Sequence, residues 1–264
     1  MPQKPKLSPT KISTYLACAL KYRWTYVHPH RWLIRDKHYY SFGQSLHTVL
    51  ERVFEGKSLE IPMEELDALY EESWIEAGYS SSEAMQEAYG EGKELIEKYV
   101  EREKAIPKLE GKTIAVERTF KKELNDFVLV GRVDRLVEGP DGTLEIVDYK
   151  SRRRGVSSED VANDLAMGCY QLLVKEAFPG KKVQARIIAL AAEEEASYSL
   201  SESEHELLES DLNKLGHQIL GTDWFEAESE YKPICRTCDF SSLCLKGPQF
   251  KIRWEQDQSV SANS

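Results

Sequence analysis

Two short runs, Gly131-Arg132-Val133-Asp134-Arg135 and Ile146-Val147-Asp148-Tyr149-Lys150, set two aspartates and a lysine on either side of Gly139-Pro140-Asp141-Gly142. Paired carboxylates of this kind hold Mg²⁺ or Mn²⁺, hard cations that keep waters and accept phosphate oxygens. A cation so held lowers the pKa of bound water and offsets charge developing on a phosphate. A lysine beside the second carboxylate can position or deprotonate the attacking water, or offset negative charge in the transition state. Asp134, Asp148 and Lys150 therefore read as a set that cleaves phosphodiesters.

Their placement follows from a hairpin. Residues 127–137 and 143–150 read as strands, and the Gly-Pro-Asp-Gly segment between them supplies turn residues. With Val137 opposite Thr143, Asp134 falls opposite Ile146 and diagonal to Asp148, on one face of the sheet with it and with Lys150. Glu145 has the other parity, points to the other face and is not counted as a ligand. Both aspartates are flanked by apolar residues, where a carboxylate is costly unless a cation or partner neutralises it. A solvated hairpin with scattered charges is the alternative.

The elements around the hairpin alternate. Residues 13–24 read as a helix with Ser8, Thr10 or Ser13 available as caps, and a second helix spans 42–54. Leu46, Val49, Leu50, Val53 and Phe54 give the second helix a core face, with His47 at its border. Residues 63–77 and 82–105 form two acidic helices that read as an inserted hairpin. Strands follow at 113–120 and in the central hairpin, then a helix at 158–178, strands at 183–191 and 196–200, and a helix at 202–220. The expected organisation is one domain over 1–255: a mainly helical part at 13–105, a catalytic sheet at 113–200, and a helix with a cysteine-rich segment at 202–248. Residues 256–264 are polar and read as a disordered tail.

In a chain of 264 residues a formal charge of −10 argues weakly against a general polyanion binder, because sequence-independent affinity for nucleic acid comes from Lys and Arg. Two basic segments depart from that average. Lys150-Ser151-Arg152-Arg153-Arg154 directly follows the candidate site, and Lys21-Tyr22-Arg23-Trp24 through His28, His30 and Arg31 interleaves aromatics with basic groups. Each reads as a path for DNA or as a solvated surface. No apolar run approaches a membrane span and the first residues are polar and Pro-rich, so a cytoplasmic protein is expected. Gly111-Lys112-Thr113 mimics the end of a phosphate-binding loop, but Ile106 stands where its first glycine belongs, so there is no ATPase signature.

Cys235-x2-Cys238-x5-Cys244 is a compact triad of thiols, and Cys18 is the natural fourth ligand of a metal or cluster there. Zinc and an iron–sulfur cluster both accept four thiolates, and spacing alone leaves them even. Cys169 reads as a small buried hydrophobe.

These features in this order resemble RecB-type PD-(D/E)XK nucleases with an iron–sulfur staple, a group that includes the AddB nuclease domain and the CRISPR-associated adaptation nucleases. The resemblance is carried by Ser13-x4-Cys18, Gly43-x3-His47, the two central runs, Tyr170 and the terminal cysteines, although Ala19 and Ala166 stand where the family often has proline and glutamine. It implies an α/β (α+β) restriction-endonuclease-like αβββαβ core with a mixed sheet, an N-terminal helical insertion and a C-terminal cysteine-cluster segment. It also implies that His47, Asp134, Asp148 and the Tyr149 carbonyl bind Mg²⁺ or Mn²⁺, that Lys150 is the catalytic lysine, and that Cys18, Cys235, Cys238 and Cys244 hold a 4Fe-4S cluster, with zinc as the alternative. His47 alone would read as a core-border histidine. Glu117 matches a glutamate often seen on the first strand and reads equally as half of an ion pair. Tyr170, Arg152, Arg153 and Arg154 are the candidate DNA contacts.

The function expected is a metal-dependent DNA exonuclease acting on single strands or free ends, in recombination, repair or CRISPR adaptation, with a helicase or adaptation protein as partner. A structure-selective endonuclease and a non-catalytic iron–sulfur DNA-binding subunit are the alternatives.

Overall fold

The computed structural model describes residues 3–55, 61–105, 111–151, 153–224, 229–245 and 247–261. The chain divides into two compact units: residues 1–9 with 36–214, and residues 10–35 with 215–264. Among the described residues no helix is long and apolar enough to cross a membrane.

The first unit is built on a six-stranded mixed sheet. A two-residue strand, β1 (Lys6–Leu7), precedes the long helix α3 (His38–Glu55), which follows the short helices α1 (Pro9–Ala17) and α2 (Ala19–Tyr22) of the second unit. Helices α4 (Met63–Ser73) and α5 (Ser82–Ala105) come next, then strands β2 (Lys112–Glu123), β3 (Val128–Glu138) and β4 (Leu144–Lys150). Helices α6 (Ser158–Ala162) and α7 (Leu165–Ala177), strands β5 (Val183–Ala189) and β6 (Glu194–Tyr198), and helix α8 (Glu202–Gly221) as far as Lys214 complete it. Reading α3, β2, β3, β4, α7 and β5 in sequence gives the expected αβββαβ order. β4 and β5 run parallel, joined by the α6–α7 crossover, while β2–β3, β3–β4 and β5–β6 are antiparallel.

Strand alternation sends β4 side chains to two different layers. Val147 and Tyr149 join Leu46, Val49, Leu50 and Val53 of α3 in one buried cluster, and Ile187, the β5 partner of Asp148, packs with Met167 of α7 in another. Gly131 of β3 lets α7 approach closely, since a Cβ there would lie 2.6 Å from Leu173 Cδ1 and 2.8 Å from Tyr170 Cε1.

Four sequence expectations change. The hairpin register places Val137 opposite Glu145 and Arg135 opposite Val147, two residues from the expected pairing, because the turn runs through Gly139–Thr143 with Gly142 at φ +80. The parity, and with it the shared face, is unaffected. The helix expected at 13–24 breaks at Cys18, whose extended backbone caps α2 and whose Sγ accepts from the Lys21 N–H. The helix expected at 158–178 breaks before Leu165, where the Asp164 carboxylate caps α7 through the Ala166 and Met167 N–H groups. Finally, the stretch expected to be a disordered tail is helical as far as Ser261, in α10 (Pro248–Ser261), which follows α9 (Ser241–Cys244); residues 262–264 lie outside the described residues. Tyr231, Phe250 and Trp254 pack together and anchor α10.

Candidate active site

One edge of β3 is shared. β1 pairs with it at Val128 and Leu129, and β4 pairs with it from Arg135 to Glu138. Beyond Arg135 the Tyr149 N–H donates to Asp134 Oδ2 at 3.1 Å, so a side chain stands where a ladder carbonyl would be. His47, carried by α3, meets both groups: Nδ1 lies 3.2 Å from Asp134 Oδ2, and Nε2 lies 2.8 Å from the Tyr149 carbonyl. Burial lowers the imidazole pKa, but the Asp134 hydrogen bond and the charges of Asp134 and Asp148 outweigh it and push the pKa up to about 9. The place between the Asp134 carboxylate and the Tyr149 carbonyl therefore favours a cation.

Asp148 is 6% exposed. Burial raises its carboxyl above the ordinary range, against the pull of Lys150 and His47. Lys150 Nζ lies 2.8 Å from Asp148 Oδ2, an oxygen with no other donor among the described residues. Burial of Lys150 works against its charge, yet Asp148 holds its pKa above the usual value. The two groups form a pair whose carboxylate is buried and whose ammonium reaches solvent, and the carboxylate would be costly to keep without a task or a further cation.

Glu117 is the residue that sequence reasoning left undecided. It lies on β2 between Val116, paired with Arg135, and Arg118, paired with Val133, which sets it across from Asp134. Its φ is +46, a left-handed conformation rare outside glycine, close to the register shift between Thr113 and Ala115. Burial raises its carboxyl pKa, and Asp134 adds to that while Arg132, its ion-pair partner, opposes it. Ligand atoms of His47, Glu117 and Asp134 all lie within 4.8 Å of one another, a grouping that could hold a metal ion. Two carboxylates and an imidazole, with the Asp148 carboxylate and the Tyr149 carbonyl nearby, suit a hard divalent cation. No sequence signal announces a positive φ at a glutamate. Its place on the first strand, where the family often has a glutamate, was the usable clue.

The remaining candidates spread out. Tyr170 on α7 is half-buried, and its hydroxyl pKa is raised by burial and then by Asp148 and Asp134, so it borders the site. Arg153 and Arg154 are exposed and engaged by Glu91 and Asp160, at 2.8 and 2.9 Å. Arg152 lies outside the described residues. In the second unit Tyr22 stacks on Trp224 at 5.5 Å and Trp24 packs against Phe240, so these rings of the aromatic–basic segment have packing partners.

All four candidate cluster thiols belong to the second unit, and all are free. Burial pushes the Cys244 thiol up to about 12, with Cys18, Cys235 and Cys238 pushing the same way. Cys169, in the first unit, is fully buried.

Over residues 6–245 the sequence matches the family described as the PD-(D/E)XK nuclease superfamily. Among solved structures, a crystal structure from Eubacterium rectale described as "Putative exonuclease" aligns at 11% identity over 87% of this chain and 90% of that chain, with a TM-score of 0.52. That likeness is one of fold. The crystal structure of SSO0001 covers 89% of this chain and 92% of that chain at 13% identity, with a TM-score of 0.33, too low to bear on the fold. No curated protein matches the chain.

Proposed function

Because the chain belongs to the PD-(D/E)XK nuclease superfamily, we propose that it is a metal-dependent DNA exonuclease acting on single strands or free ends. The observation that carries this reading is the meeting of His47, Glu117 and Asp134 beside the ion pair of Lys150 with the buried Asp148. His47, Glu117, Asp134, Asp148 and the Tyr149 carbonyl are the groups that would hold Mg²⁺ or Mn²⁺. When bound, such an ion supplies Lewis-acid stabilisation of phosphate charge and a more acidic water.

The chain's own groups do the rest. Lys150, fixed by Asp148, presents an ammonium to the reacting phosphate, where it orients the attacking water and offsets charge in the transition state. The Tyr149 N–H holds one oxygen of Asp134, which fixes the carboxylate rotamer before any ligand arrives. Tyr170 closes the α7 side of the site and contacts the DNA.

Cys18, Cys235, Cys238 and Cys244 hold a 4Fe-4S cluster in this proposal, supported by their place in one compact unit and by the resemblance to the AddB-type and CRISPR-adaptation nucleases; zinc is the second reading. The setting is cytoplasmic, in recombination, repair or CRISPR adaptation, with a helicase or adaptation protein as partner. End-labelled linear and covalently closed single-stranded DNA, each incubated with Mg²⁺ or Mn²⁺, tests the activity. Degradation confined to the linear substrate supports the exonuclease. Efficient cutting of circles favours a structure-selective endonuclease, and no cleavage of either favours a non-catalytic DNA-binding subunit.

A further inference from the structure

Helix α3 does more than carry His47. Tyr40 precedes His47 by seven residues, two turns, so the two share a face and stand about 10 Å apart along the axis. Tyr40 is 64% exposed, and its neighbour Tyr39 is 48% exposed, their ring centroids 4.5 Å apart. A large aromatic left in solvent so close to a candidate phosphodiester site has a flat face free to receive another ring.

Gly43 lies between them, one turn from each. Among the described residues a Cβ there would meet only Ser151 Oγ, at an ordinary 3.8 Å, and its φ is not left-handed. The fold itself does not require glycine at this point, and alanine would favour the helix by roughly 0.5–1 kcal/mol. Gly92 of α5 differs, because a Cβ there would collide with the Tyr70 hydroxyl. Ser151 directly follows Lys150, so the space that Gly43 leaves open adjoins the reacting group. The first turn of α3 carries no carboxylate, and Lys37 immediately precedes it.

The geometry points to a nucleotide subsite on this face: the base next to the cleaved phosphate stacks on Tyr40, and its sugar-phosphate passes over Gly43 beside Ser151. The occupant is a single-stranded nucleic acid, because a base inside a duplex is already stacked on its neighbours and cannot present its face to a side chain. This inference rests on the nuclease reading for its direction along the strand, and it narrows the substrate to unpaired DNA or a frayed end.

The test uses the full chain and a fluorescein-labelled oligothymidine, with binding followed by anisotropy in Ca²⁺ and cleavage followed separately in Mn²⁺. Tyr40→Ala is expected to weaken binding about five- to hundredfold, while Tyr40→Trp retains it. Moving a single abasic site along the strand should find one position where wild-type binding falls by a similar factor, and Tyr40→Ala should erase that dependence. Gly43→Ala should melt at the wild-type temperature or above and still lose strand affinity. Unchanged binding by Tyr40→Ala, a flat abasic profile in the wild type, or full affinity in Gly43→Ala overturns the subsite. Tyr40-dependent binding without cleavage would retain the subsite and overturn the nuclease reading, so the two failures are distinct.

Discussion

The Tyr149 backbone N–H is held by the Asp134 side chain, not by the backbone of β3, at 3.1 Å. The same residue's carbonyl faces His47 at 2.8 Å. Both polar groups of one peptide-bonded residue are thus committed to the candidate site, and the β3–β4 ladder gives way where the chemistry begins. Edge irregularities next to active sites commonly re-aim a side chain in this way.

Asp148→Asn and Lys150→Ala should each lower cleavage of end-labelled single-stranded DNA by about 10²–10³ or more, because both groups act on charge that develops in the transition state. Strand binding and the melting temperature should change little by comparison. Wild-type turnover in either variant would remove the pair from the mechanism.

His47→Ala and Glu117→Gln separate ligands from structural partners. As ligands, each should raise the Mn²⁺ concentration needed for half-maximal cleavage by roughly 10–100-fold. Arg132→Gln is the control, since it breaks the ion pair with Glu117 while leaving the carboxylate in place. If Arg132→Gln shifts the metal dependence as much as Glu117→Gln does, Glu117 serves the ion pair. If His47→Ala lowers only the melting temperature, His47 is a core-border residue.

Protein purified without oxygen should be brown and contain iron and acid-labile sulfide in nearly equal amounts. Replacing Cys18, Cys235, Cys238 or Cys244 by serine should bleach it and lower its stability, since binding energy at such a site is folding energy. Cys169→Ala should keep the colour. Stoichiometric zinc without sulfide would replace the cluster with a zinc site, and a colourless, metal-free and fully stable protein would remove both.

Gly131→Ala should destabilise the chain by about 1–3 kcal/mol, the usual effect of overpacking. The added methyl would press on Leu173 and on the ring of Tyr170, at 2.6 and 2.8 Å. Denaturant unfolding measures the loss, and Leu173→Ala in the same chain should recover part of it. An unaltered midpoint in Gly131→Ala would mean that α7 is not held so close to β3.

The sequence made the hairpin, its turn and the common face of Asp134, Asp148 and Lys150 legible, because strand parity survives an error of two in the register. The register itself depended on where the turn begins: it has the expected length but lies one residue later, at Gly139–Thr143 with Gly142 at positive φ, and that moves the pairing by two. The breaks at Cys18 and Asp164 were hidden for a common reason. Each residue sits inside a helical pattern, while its side chain instead accepts from the backbone of the turn that follows. The strain at Glu117 and the pairing of β1 with β3 depend on contacts distant in sequence, and local pattern carries no trace of either.

The pairing of Lys6 with Val128 and of Leu7 with Leu129 joins positions far apart in the chain, and Leu7 is 2% exposed. Closing so long a loop is slow, because its entropy must be paid before the contact gives any return. The segment that carries β1 would therefore be among the last to dock, waiting while α3, the hairpin and the crossover assemble. Until it arrives, the start of β3 has a bare edge, open to any extended chain that reaches it first. The interval between synthesis of β3 and docking of β1 is thus the point at which this fold is most exposed to misassembly.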